Sequence, residues 1–192
     1  AVVSLAGLAF MAQGSAPGRG RYGKEINRAV SYVLNQARDS GYIFAAGSTS
    51  HGPMYGHGFA TLFLAEVYGM WPTQEVRTKL AKAVRLIVDT QNDEGGWRYQ
   101  PERKDADISV TICQVMALRA ARNAGLDVGN DTIDRCTEYG KRWQNADGGF
   151  ASMLRVGESA FARTAAGVVA LYSAGIYEGD EITRGGGFLG TR

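Results

Sequence analysis

Charge of a single sign is missing from this 192-residue chain: 21 Lys and Arg stand against 19 Asp and Glu, a formal net charge of +2. That balance gives no electrostatic case for nucleic acid or an anionic membrane surface as partner. Cysteine is scarce, and Cys113 and Cys136 have neither a CxxC nor any ligand-like spacing. Neither a disulfide scaffold nor a structural zinc site is indicated, and no redox compartment follows. The longest apolar opening, residues 1–12, is too short to span a bilayer and is interrupted by Gly7. It imitates the apolar part of a signal peptide, with small residues at Ser15 and Ala16, yet the positively charged leader is missing. The chain begins without Met, which points to a fragment or a processed product. No Gly-x-x-x-x-Gly-Lys-Ser/Thr occurs, so the glycine clusters are not phosphate loops.

Glycine is what the chain has in excess, with 26 copies, about twice the usual share. Three segments align: Gln36-Ala-Arg-Asp-Ser-Gly-Tyr42, Gln91-Asn-Asp-Glu-Gly-Gly-Trp97 and Gln144-Asn-Ala-Asp-Gly-Gly-Phe150, at offsets of 55 and 53 residues. Each has glutamine first, glycine sixth and an aromatic seventh. A second series, Gly14, Gly69, Gly125 and Gly175, ends Ala- and Leu-rich stretches at offsets of 55, 56 and 50. Two markers with one period of about 54 residues define a repeat architecture.

Each period holds two helices. The first kind is rich in small apolar residues and has no wide polar face: 2–13, 57–68, 109–124 and 159–174. That is the pattern of helices buried on most sides. The second kind is amphipathic. Val76, Leu80, Ala83, Val84, Ile87 and Val88 follow three-and-four spacing with Lys79, Lys82 and Arg85 between them; Ile26, Val30, Val33 and Leu34 repeat the pattern, as do Ile133, Cys136, Gly140 and Trp143.

The glycines of the second series fall where left-handed C-terminal caps belong, and Pro72-Thr73 and Asn130-Asp131 open amphipathic helices. Gly185-Gly186-Gly187 reads as a flexible stretch. The return loops run about fifteen residues, longer than usual, and carry the Gln-led motif, so they are expected to gather on one functional rim.

Gln91 to Trp97, followed by Asp105-Ala-Asp-Ile-Ser-Val-Thr-Ile-Cys-Gln-Val-Met-Ala-Leu, resembles the prenyltransferase and squalene-hopene cyclase repeat of the α/α-toroid fold. The resemblance implies an all-α, toroid-like array of helical hairpins in one domain over 1–192, with repeat junctions near 42–56, 97–108 and 150–158. In the cyclases it implies, the Gln and aromatic of the motif tie adjacent repeats together, and an Asp-x-Asp-Asp-Thr motif protonates an alkene. Here that stretch is Asp105-Ala106-Asp107-Ile108-Ser109, which leaves the acid incomplete with Asp105 and Asp107 as the catalytic candidates. The Asp-x-Cys of the zinc prenyltransferases and the Gly-Cys-Gly-Glu-Gln of the thioester toroids are absent, and no cofactor is expected. A ring of six pairs would need roughly 320 residues, whereas this chain offers about 3.5 repeats. An open arc, part of a longer protein, is therefore expected. Its uncovered edges predict another protein chain, self-association or flanking repeats as partner.

Setting the helix-ending glycines in register places His57, Cys113 and Arg163 at one position, His51, Asp107 and Gly157 at another, and Ser109 and Ser159 at a third. Tyr55, Trp97, Tyr99, Phe150 and Phe161 would wall a rim pocket beside them. Each residue also has a plainer reading. Asp107 and Ser109 cap a helix; Cys113 is a small core residue; Trp97 and Phe150 are wedges between helical pairs; Arg163 pairs with Glu158 or another acid. His51 and His57 form a His-x5-His pair that a metal could use, and also suit ordinary loop hydrogen bonding. Three functions follow: a non-catalytic interaction or scaffold module, which the broken motifs favour; an isoprenoid or lipid-like ligand site with altered chemistry; and a carbohydrate or peptide binder on the aromatic rim.

Overall fold

The two sequence periodicities translate into eight helices among the described residues of the computed structural model, which are 1–47, 52–151 and 157–191. These are α1 (Val2–Ala12), α2 (Gly23–Gln36), α3 (Pro53–Met70), α4 (Gln74–Thr90), α5 (Ile108–Asn123), α6 (Asn130–Lys141), α7 (Phe161–Ala174) and α8 (Asp180–Gly190). No strand forms among the described residues, only isolated bridges such as Ala37 to Ile43 and Gln144 to Phe150. The chain is all-α, as its periodicity requires. It divides into two compact units: Ala1–Asp89 with Ala117–Val128, and Thr90–Met116 with Gly129–Arg192.

In the first unit the apolar stripes of α2 and α4 are buried as expected, through Ile26, Val30, Val33 and Leu34, and through Val76, Leu80, Ala83, Val84 and Ile87. The α3 helix is buried nearly all round, with Met54, Phe63, Leu64 and Val67 fully enclosed. α1 lies against α2 and α3, and Gly7 sets the approach: a Cβ there would stand 2.5 Å from the Phe63 ring.

α1 is not enclosed like α3. Ser4, Gly7 and Met11 form its one buried face, while Val2 is 81% exposed. Apolarity on all sides does not bury a helix that has neighbours on one side only. α7 departs from expectation for the same reason. It contacts α6 and α8 and buries Thr164, Gly167, Ala170 and Leu171, leaving Phe161, Val169 and Tyr172 exposed.

The second unit is centred on Ile108, Ile112, Tyr139, Trp143, Phe150, Ala170 and Leu171. Its α8 helix runs through Gly185-Gly186-Gly187, so the triple glycine is helical rather than a loose stretch. Packing overrides propensity there: Phe188 is buried, and a Cβ on Gly185 would come within 2.7 Å of the Val168 side chain.

Among the four expected glycine caps, Gly14, Gly125 and Gly175 have φ of 86°, 86° and 97°. Gly69 does not cap; it lies inside α3, which runs on to Met70. The stop comes from Pro72, which holds Trp71 extended at φ −145°. Thr73 then opens α4, its hydroxyl accepting the Val76 N–H at 3.4 Å.

Candidate functional site

The Gln-led loops are tight turns closed by one repeated pair of backbone hydrogen bonds. The Asn92 N–H donates to the Gly96 carbonyl at 3.0 Å and the Gly95 N–H returns to the Asn92 carbonyl at 3.1 Å. Asn145, Gly149 and Gly148 make the same pair, as do Arg38, Tyr42 and Gly41. Gly41, Gly95 and Gly148 take φ of 88°, 96° and 85°, which only glycine adopts without strain. The repeat register therefore follows the left-handed residue. Ala37, Gln91 and Gln144 correspond, and Ile43, Trp97 and Phe150 correspond. The alignment through Gln36 and Tyr42 is one residue out.

Each turn presses on an amphipathic helix. A Cβ on Gly41 would lie 2.2 Å from the Lys82 carbonyl oxygen, one on Gly95 2.2 Å from that of Arg135, and one on Gly148 2.4 Å from that of Arg184. Glutamine fastens the second and third turns. Gln91 Nε2 donates to the carbonyls of Gly95 (3.0 Å) and Thr132 (2.9 Å), and Gln144 Nε2 to those of Gly148 (3.0 Å) and Glu181 (2.8 Å). The first turn has Ala37 at this place, and there Lys79 Nζ donates to the Ala37 carbonyl at 3.0 Å.

Fourteen residues beyond each turn a buried side chain receives its last N–H. Ile43 donates to His57 Nδ1 at 3.2 Å, Trp97 to Thr111 Oγ1 at 3.0 Å and Phe150 to Thr164 Oγ1 at 3.0 Å. The repeat counterparts of His57 are thus Thr111 and Thr164, not Cys113 and Arg163. Aligning helix ends failed because α3, α5 and α7 have 18, 16 and 14 residues. That alignment does not single out Thr111 and Thr164, which successive offsets of 54 and 53 from His57 reach.

His57 is fully buried within α3, and among the described residues its Nε2 has no hydrogen-bond partner. Burial pushes its pKa down to about 4, against a smaller upward pull from the Ala83 backbone. It is neutral at pH 7, with Nδ1 the acceptor. Tyr42, whose ring centroid lies 5.6 Å away, is raised by burial, with Arg38 opposing. His51 lies outside the described residues, and among them no group of three or more His, Cys, Asp or Glu could hold a metal.

Among the candidates in the second unit, Asp107 caps α5: its Oδ1 accepts the N–H of Ser109 at 2.9 Å and of Val110 at 3.3 Å, and also the Ser109 hydroxyl. Asp105 is exposed and paired with Arg98, which also lies over the Tyr99 ring. The Cys113 thiol donates to the Ser109 carbonyl at 3.4 Å, and burial raises its pKa to about 12. Trp97 and Phe150 are fully buried, the Phe150 ring meeting Gly167 so closely that a Cβ there would be 2.5 Å away.

Ser159 is not the counterpart of Ser109. It precedes α7, donating to Asp147 at 2.7 Å and accepting from Asn145 at 3.0 Å. Arg163 reaches the backbone carbonyl of Glu158 at 2.8 Å, not its carboxylate. Phe161 is 55% exposed.

Among the described candidates, Tyr55 alone lines a cavity seen in the first unit. Its volume is about 430 Å³, and its walls include Tyr32, Gln36, Ile43, Phe44 and Ala60. Among the described residues, no charged side chain lines it. No helix among the described residues is long and apolar enough to cross a membrane. Comparison with protein-family models and with curated protein sequences yields no match.

Proposed function

We propose that this chain is a non-catalytic α/α-repeat interaction or scaffold module. Its helix pairs would form the toroid-like array that the Gln-led repeat resembles, an arc of about 3.5 repeats rather than a ring. The observation that carries the reading is the employment of Asp107. Of the two carboxylates that the resemblance makes acid candidates, Asp107 is spent on the first N–H groups of α5 and Asp105 is exposed and paired with Arg98. The Asp107 Oδ1 is committed to three donors, two backbone N–H groups and the Ser109 hydroxyl. The partner would be another protein chain, a second copy or flanking repeats, seated on apolar side chains such as Phe161, Val169 and Tyr172.

The test is Asp107→Ala beside Asp107→Asn. As a cap, Asp107→Ala loses about 1 kcal/mol of stability while Asp107→Asn, itself a good cap, loses a few tenths. Neither the parent chain nor the variants turn over squalene or a prenyl diphosphate. Turnover by the parent chain, abolished in Asp107→Asn at unchanged stability, would overturn the reading in favour of an isoprenoid enzyme.

A further inference from the structure

The corrected register exposes a difference between repeats that the sequence alone conceals. Closure of the turns at Arg38 and Asn145 makes Gln36, Ile43 and Ala60 of the first repeat the counterparts of Trp143, Phe150 and Gly167 of the third. In the third repeat this space is solid. Trp143 and Phe150 are buried at 3% and 0% exposure, and the Phe150 ring is seated on Gly167. In the first repeat both aromatics are gone, and the three replacing residues all line the cavity of about 430 Å³.

That volume falls within the range of small-molecule sites. Tyr32, Phe44 and Tyr55 give it aromatic walls, no charged side chain among the described residues lines it, and the amino group of Ala1, which is also on the wall, is shifted toward its neutral form by burial. The Gln36 side chain is half-buried, and its amide takes no partner among the described residues. An amide beside an apolar cavity offers both an NH2 donor and a carbonyl acceptor to an occupant.

We propose that this cavity binds a small, uncharged, planar aromatic molecule, its ring taking the place that Trp143 and Phe150 fill in the third repeat and its polar edge meeting the Gln36 amide. The proposal is independent of the scaffold reading, since a ligand cavity needs no catalytic residue.

Indole is the probe, titrated into the full chain and followed by amide chemical shifts. Saturable shifts at Ile43, Phe44 and Ala60, with a dissociation constant of about 1 mM or tighter, are expected. Gln36→Leu weakens binding about ten-fold, and cyclohexanol, similar in bulk but not planar, binds about ten-fold more weakly than indole. Ile43→Trp places in the first repeat the residue that the second carries as Trp97 and abolishes binding. Should that variant fail to fold, Ala60→Leu fills the cavity from α3 and abolishes binding in its place. Absence of saturable shifts up to the solubility of indole, shifts centred elsewhere, undiminished binding in the filled variant, or equal binding of cyclohexanol each overturn the proposal.

Discussion

The Ile43 N–H ends on Nδ1 of His57, where the two later repeats end the same bond on a threonine hydroxyl. A hydroxyl accepts at any pH, but an imidazole accepts only while neutral. One bond of the repeat has thus been made dependent on a proton.

Stability should accordingly fall in acid through His57. Its pKa is about 4 when folded against 6.5 for a free histidine, so between these values the unfolded chain binds more protons. The contribution of the neutral ring is full above about pH 6.5 and lost progressively as pH falls to about 4, a total of about 3 kcal/mol. His57→Asn keeps an acceptor that does not titrate. Urea unfolding from pH 7 to pH 4 should show a steeper loss for the parent chain, and parallel curves would refute the assignment.

Glycine substitutions should separate conformation from contact. Gly95 and Gly125 both have positive φ, but a Cβ on Gly95 meets the Arg135 carbonyl at 2.2 Å while one on Gly125 meets nothing within 4 Å. Gly125→Ala costs about 1 kcal/mol for its dihedrals alone. Gly95→Ala must also push a turn off backbone that cannot rotate away, and costs at least about 3 kcal/mol. Thermal unfolding of the pair checks the order.

Helix positions were legible because four or more apolar residues at three-and-four spacing have few other uses, as in Leu80, Ala83, Val84 and Ile87. Enclosure was not. Residues 2–12 and 53–70 look alike in composition, yet only the second has neighbours on most sides, and no local pattern encodes a neighbour. Register was misread because Gln36 stands next to Ala37, the true counterpart of Gln91. That one-residue error conceals the cavity, which appears only when position 43 is set against 150, whereas the pairing of His57 with Cys113 comes from aligning helices of unequal length by their ends. Asp107 was read as either acid or cap, and only the Ser109 and Val110 N–H groups decide how it is used.

Both thiols should resist modification while the chain is folded. Cys113 and Cys136 are buried, and burial lifts each pKa to about 12. The thiolate is the nucleophile, and at pH 8 it is about a ten-thousandth of the total. Iodoacetamide should label neither residue on the timescale that labels both in urea. Fast native labelling of either would show that its helix opens.

Gln91 and Gln36 offer the most direct check on the register itself. Both begin a Gln-led segment, but among the described residues only Gln91 of the two bonds through its amide, holding the carbonyls of Gly95 and Thr132 from a fully buried position. Gln91→Leu preserves bulk and removes both bonds from a fully buried site, which costs about 2 to 3 kcal/mol. Gln36→Leu removes no side-chain bond seen among the described residues and places an apolar group against an apolar cavity, so its effect stays within about 0.5 kcal/mol. Introducing the missing amide by Ala37→Gln is then the complementary step. The side chain gains the carbonyls of Gly41 and Lys79 as targets, by analogy with Gln91, but displaces Lys79 from the Ala37 carbonyl. Because one bond is exchanged for two, Ala37→Gln should hold or raise the unfolding midpoint. A loss matching that of Gln91→Leu would mean that the first turn is not built like the other two.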